Sequence, residues 1–295
     1  MIIIKFFPDS NIGTDLPNYG KDFIITKNNN YTHAILLWPE KIRPPLKINK
    51  KNVVGTTLES PKYMLYEFNL STNQNAFFEY CKRYIGKFLI GGVKNTNIPN
   101  QPPFLGFYCS KTSGKIPRNI SFNKTKKMSI MISAKSFQGL WLKKGYGYSL
   151  RKQIVLNILK GNFPIDIWGN GCGYLDSSDS RIKGTFKNGE PYKNYQFTIA
   201  IENEKYPHYI TEKFELPLRY KTIPIYWGAK YIERYYPNCC IQLSGNIKSD
   251  ILLIKDILQN SKKYLKDMEK AQKKLYVDNN LVKRCVNIWK NNLVK

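Results

Sequence analysis

Residues 195–228, YQFTIAIENEKYPHYITEKFELPLRYKTIPIYWG, read as strand, polar loop, helix and strand, with the polar residues gathered at the joints. Phe197, Ile199 and Ile201 alternate as one face of a strand, which stops at a carboxylate and an amide, Glu202 and Asn203. Thr211 stands where a helix N-cap belongs, Glu212 and Lys213 occupy the first turn, and the apolar run 222–227 ends at Gly228. Backbone N–H groups at such a helix start, joined by the Lys213 ammonium, make a pocket for a diphosphate. Glu212 is the odd member: a carboxylate repels phosphate, but it accepts two neighbouring sugar hydroxyls.

Upstream, a strand is predicted at 128–132 and a helix at 150–160, whose stripe is Leu150, Ile154, Val155, Ile158 and Leu159, with Ser149 as N-cap and Gly161 as stop. Ile165–Trp168 is the next strand, which completes a βαβ crossover, and ligands of open α/β sheets lie beyond the carboxyl ends of such strands. Arg151 is predicted in the first turn of its helix, where the helix dipole opposes a cation unless an anion is bound. The first half offers strands at 2–7, 33–38, 52–57 and 87–91 and a helix at 75–84, and the second half begins near Lys124. Amphipathic helices are predicted at 251–258, 261–276 and 280–293. Strands alternating with helices imply a three-layer α/β fold.

A chain of 295 residues has room for two domains of ~150 residues. The formal net charge of +26 invites a nucleic-acid partner, but the lysines are spread along the chain, together with much Asn, Ile and Tyr, so the charge is read as a solvated surface. Six cysteines show neither a C-x-x-C pair nor a zinc spacing, which sets aside a disulfide scaffold. The opening apolar run is interrupted at Lys5, and no later run reaches membrane-spanning length. His33 and His208 suggest neither a metal cluster nor a hydrolase triad, and Asp176–Asp179 reads as a turn.

The spacing Phe197…Glu202-Asn203, then Tyr209-Ile210-Thr211-Glu212-Lys213, then Pro224…Gly228 resembles the signature of glycosyltransferase family 10, the α1,3/α1,4-fucosyltransferases that use GDP-fucose. The resemblance extends through 127–133, 148–151, 165–171 and 181–184 and is loose in the first half. It implies an α/β GT-B fold of two Rossmann-like domains facing a cleft, an acceptor-side domain at 1–123 and a GDP-sugar domain at 124–295 with closing helices. It also implies inverting transfer of L-fucose to an oligosaccharide or glycoconjugate hydroxyl, in α1,3 linkage on GlcNAc or glucose. Arg151 and Lys213 then contact the diphosphate, Glu212 the ribose, and Glu202 and Asn203 fucose and phosphate, with Tyr209 and Thr211 completing the donor site. The general base belongs on the first domain, where Glu79 is the leading candidate ahead of Glu67 and Glu59. No metal is required, although divalent ions could stimulate. Pro217 departs from the pattern, since it must kink, loosen or end its helix early. The absence of an N-terminal membrane anchor implies a soluble protein of bacterial or viral type in the cytoplasm. Two rivals stay open: another donor such as GDP-mannose, and a basic non-catalytic module that binds nucleic acid or glycan.

Overall fold

The computed structural model describes residues 1–10, 14, 18–39, 42–56, 74–89, 120–138, 147–187, 189–207, 209–274 and 281–291. By internal contacts the chain divides into two units, Met1–Ser113 with Tyr206–Thr211 and Asp278–Lys295, and Gly114–Lys205 with Glu212–Val277. This partition differs from a single boundary at 123/124 in three places, the first being the break itself, which falls at 113/114. The last helix and the short 206–211 segment both group with the first unit.

The first unit is a parallel sheet of β1 (Ile2–Phe7), β2 (Phe23–Thr26), β3 (His33–Leu37), β4 (Val53–Thr56) and β5 (Lys87–Leu89), in the order β2-β1-β3-β4-β5. Parallel strands must be covered on both faces. One cover is the helix Leu281–Lys290, which buries Leu281, Val282, Cys285, Val286 and Trp289 against Ile4, Phe6, Phe23, Ile35 and Leu37. That apolar face explains why the last helix belongs here. The other cover is the helix Gln74–Tyr84, whose Phe77, Tyr80 and Cys81 pack on Ala34, Leu36, Val53 and Phe88.

His33 lies at the start of β3 with its ring 4.5 Å from that of Trp289. Burial, reinforced by the N-terminal ammonium, holds its pKa down to about 4 from the usual 6.5. The unfolded chain therefore takes up this proton first on acidification, and stability present above about pH 6.5 is lost as pH falls to about 4. A thermal midpoint that falls across this window in wild type, and less in His33→Gln, is the expected result. Identical profiles would remove His33 as the cause.

The second unit contains β6 (Lys126–Met131), β7 (Ile165–Trp168), β8 (Ile182–Gly184), β9 (Tyr195–Ile201), β10 (Ile223–Trp227) and β11 (Ile241–Gln242), in the order β11-β10-β9-β6-β7-β8, all parallel. Phe197, Ile199, Met128, Ile130, Ile165 and Ile167 pack with Ile154, Val155 and Ile158 of the helix Gly147–Lys160 and with Ile254, Ile257 and Leu258 of the helix Ile247–Gln259. Asn246 caps the latter helix, its side chain accepting from the N–H groups of Lys248 and Ser249. Alternation turns Ser129 and Thr198 to the opposite face, where Ser129 Oγ donates to Pro191 O at 2.5 Å and lies 3.0 Å from Thr198 Oγ1. Thr222 Oγ1 donates to the carbonyls of Tyr192 and Tyr195. These buried hydroxyls fasten the short helix Glu190–Lys193 to the sheet and fix Tyr192 over it.

Candidate donor-binding site

Strand β6 comes first in its unit, its sequel β7 lies on one side, and the later β9 lies on the other. The strand order therefore reverses between β6 and β9, which is where open α/β sheets leave a crevice beyond their carboxyl ends. A cavity of about 370 Å³ lies there, with walls from Met131, Ile132 and Ser133 after β6, Gly169 and Asn170 after β7, and Thr198–Ile201 of β9. Tyr192, Thr185 and Phe186 add to it, and Arg151 and Lys213 supply its two cations. Apolar and aromatic walls with two convergent cations suit a flat ring joined to an anionic group.

The helix bearing Arg151 starts at Gly147, two residues before Ser149, because Gly147 N–H donates to Asn203 O at 2.8 Å and docks the helix start on the end of β9. Arg151 thus begins the second turn. It is 4% exposed, donates through Nη2 to Ile201 O at 2.6 Å, and stacks its guanidinium over Tyr148 at 5.1 Å. One edge of the guanidinium is therefore anchored on the strand while the residue lines the cavity.

Lys213 lies in the first turn of the helix Glu212–Arg219, with its Nζ 2.7 Å from Glu212 Oε1. Burial alone would lower its pKa. The Glu212 and Glu202 carboxylates outweigh burial and the opposing Arg151, so the pKa is raised and the ammonium keeps its proton. Glu212 is thus an ion-pair partner of Lys213, and its side chain remains 43% exposed. Glu202 is fully buried, Asn203 half-buried, and Tyr209 and Thr211 are buried. The helix runs through Pro217 and ends two residues later, so its first turn, which carries Lys213, is kept.

Other charged residues lie in different settings. Arg181 donates to the carbonyls of Ile158, Leu159 and Phe163 and pairs with Asp179 at 2.5 Å, closing the carboxyl end of the Gly147–Lys160 helix. Lys183 reaches Asp166 and the Ser180 carbonyl. Neither lines the cavity. Asp176 and Asp179 are turn formers, accepting from Ser178 and Arg181 N–H groups. Glu79 is 71% exposed and bonds Lys82 at 2.8 Å, on the helix face away from Phe77 and Cys81, which is the setting of a solvated ion pair. Glu59, Glu67 and His208 lie outside the described residues. Ser133, Asn170, Tyr192 and Phe186 entered the site without a separate sequence signal. Asn170, within the Ile165–Gly171 block, accepts from Ala134 N–H and ties the two loops together.

The sequence profile "Glycosyltransferase family 10 (fucosyltransferase) C-term" matches residues 132–281, just over half of the chain, and spans every cavity residue except Met131. The chain belongs to glycosyltransferase family 10. Alpha-(1,3)-fucosyltransferase B of Drosophila melanogaster is 38% identical over 94 residues, 30% of this chain and 21% of that protein. Alpha-(1,3)-fucosyltransferase fut-6 of Caenorhabditis elegans is 37% identical over 87 residues, 28% of this chain and 21% of that protein. The matched stretches thus cover about a fifth of these relatives' length. An alpha1,3-fucosyltransferase solved with GDP is 16% identical, with 99% of this chain and 90% of that one covered at a TM-score of 0.53, a likeness of fold. The family-10 chain is therefore an α/β protein of GT-B type. Among its described residues no helix is long and apolar enough to cross a membrane.

Proposed function

We propose that this family-10 protein transfers L-fucose from GDP-fucose to a hydroxyl of an oligosaccharide or glycoconjugate, in α1,3 linkage on GlcNAc or glucose, with inversion at the sugar carbon. The observation that carries the reading is the convergence of Arg151 and Lys213 on one cavity at the β6/β9 reversal, inside the stretch that matches the family. Arg151, pinned by Ile201 O, and Lys213, kept charged by its carboxylate neighbours, take the diphosphate and offset the charge that builds on departing GDP. Glu212 exchanges its bond with Lys213 for the ribose hydroxyls, and Asn203, Tyr209 and Thr211 complete the donor contacts.

Glu79 is an exposed carboxylate paired with Lys82 on its own helix. Glu79→Gln is expected to retain transfer within about threefold of wild type, against the ~100-fold loss of a general base. A loss of that larger size, with GDP affinity unchanged, would restore Glu79 to the role.

The proposed activity is tested by mass spectrometry of an oligosaccharide panel incubated with the protein and either GDP-fucose or GDP-mannose. A mass increase of one deoxyhexose with GDP-fucose alone is the expected outcome. A hexose increase with GDP-mannose, or modification with neither donor, contradicts it.

A further inference from the structure

Two short turns leave the carboxyl ends of β6 and β7, Ala134–Phe137 and Asn170–Tyr174, and the cavity wall reaches both: Ser133 precedes the first and Asn170 opens the second. Asn170 Oδ1 accepts from Ala134 N–H at 2.9 Å, so the turns are fastened to each other. Their far ends carry an aromatic pair. Phe137 and Tyr174 stack with ring centroids 5.0 Å apart and planes 7° from parallel. Phe137 is rooted in the core of the second unit, whereas Tyr174 lies on it from outside and is 53% exposed. The Lys152 ammonium stands 5.2 Å from the Phe137 ring centroid, and Gln138 Nε2 donates to Tyr174 Oη at 3.2 Å. The exposed ring is therefore held in one orientation, by the ring beneath it and by its own hydroxyl.

Building on the fucosyl-transfer reading, we propose that Tyr174, stacked on Phe137, is a platform for a sugar ring of the acceptor, contributed by the same unit that holds the donor. The C–H groups on one face of a pyranose pack on the electron-rich face of an aromatic ring, and the exposed Gln138 amide beside that ring offers hydrogen bonds to the sugar's hydroxyls. Position agrees with chemistry. Phe137 and Tyr174 each stand four residues beyond a cavity residue, Ser133 and Asn170, and a turn of this tight helical kind rises ~2 Å per residue, which puts the platform on the order of 8 Å from the cavity wall. That is within the span of a disaccharide. The cavity has aromatic walls of its own in Phe186 and Tyr192 for the nucleotide ring, and neither Phe137 nor Tyr174 lines it. An oriented aromatic face outside the donor cavity and close to its rim suits the second substrate.

The test is steady-state transfer kinetics beside calorimetric titration of GDP for wild type, Tyr174→Ala, Tyr174→Phe and Gln138→Ala, with N-acetyllactosamine and lactose as acceptors. Tyr174→Ala is expected to raise the acceptor KM about tenfold, the scale of one lost aromatic contact, with kcat within about twofold of wild type and GDP affinity unchanged. Tyr174→Phe keeps the ring and should stay within about threefold of wild type. Gln138→Ala frees the ring and should raise the acceptor KM by a smaller factor, and it carries the test if Tyr174→Ala does not fold. An unchanged acceptor KM in a folded Tyr174→Ala protein overturns the proposal. GDP affinity that falls by the same factor as the acceptor KM rises would make the aromatic pair part of the donor site and overturn it as well. Wild type that modifies neither disaccharide overturns the transfer reading and this proposal with it.

Discussion

Lys213→Ala is expected to weaken GDP binding by about 1.5–3 kcal/mol, roughly ten- to 150-fold in Kd, the range for a hydrogen bond to a charged group. The side chain sits in the first turn of its helix, where the dipole favours an anion, and it lines the one wall to which Arg151 also contributes. Its removal deletes a charge held over the cavity by two carboxylates and leaves the fold's apolar contacts in place. Arg151→Ala should lose GDP affinity comparably and stability as well, because the Ile201 carbonyl also loses a buried charged donor. Calorimetric titration beside a thermal melt separates the two effects. A folded Lys213→Ala protein that binds GDP as wild type does would take the lysine out of the site.

Gly147→Ala should be the most damaging glycine-to-alanine change among the described residues of the second unit. The new Cβ would stand 1.7 Å from Glu202 O and 2.9 Å from Glu202 C, which are backbone atoms that no rotamer change can move aside. Either the helix start withdraws from β9, breaking the bond from Gly147 N–H to Asn203 O, or the strand end shifts. Both movements disturb Arg151 and Glu202 together. Overpacking of this kind costs about 1–3 kcal/mol and often more where backbone meets backbone. A denaturation midpoint well below wild type, with GDP binding lost in the fraction that still folds, is expected. A variant as stable as wild type and with the same GDP affinity would show that this close approach is not needed.

Much of the second unit was legible because its main strands alternate apolar residues on one face and its helices carry clear stripes. Ile165–Trp168 was located to the residue, and 128–132 and 150–160 to within two or three. The helix reaches back to Gly147, past the cap expected at Ser149, and Gly147 lies close against Glu202, a tertiary approach that local sequence does not announce. Strands β2, β8 and β11, four, three and two residues long, have no counterpart among the predicted strands. Arg151 and Lys213 stand out in the sequence through the cost of a cation near a helix start, and both line the cavity. Arg181, in the 181–184 block of the resemblance, is taken up by carbonyls at a helix end, a tertiary contact that sequence spacing does not announce. The burial of Glu202 was not legible, since Tyr226 and the two glycines that pack against it, Gly147 and Gly228, are distant in sequence.

The net charge of +26 leaves a polyanion as the competing ligand, so the decisive measurement sets GDP against single-stranded DNA in one titration at low and at physiological salt. A donor site built from a few fixed groups predicts saturable one-to-one GDP binding that changes modestly with salt and is lost in Lys213→Ala. Binding driven by a diffuse basic surface falls by orders of magnitude over the same salt step. GDP that fails to saturate, beside DNA that binds tightly at low salt with a steep salt dependence, would contradict the account.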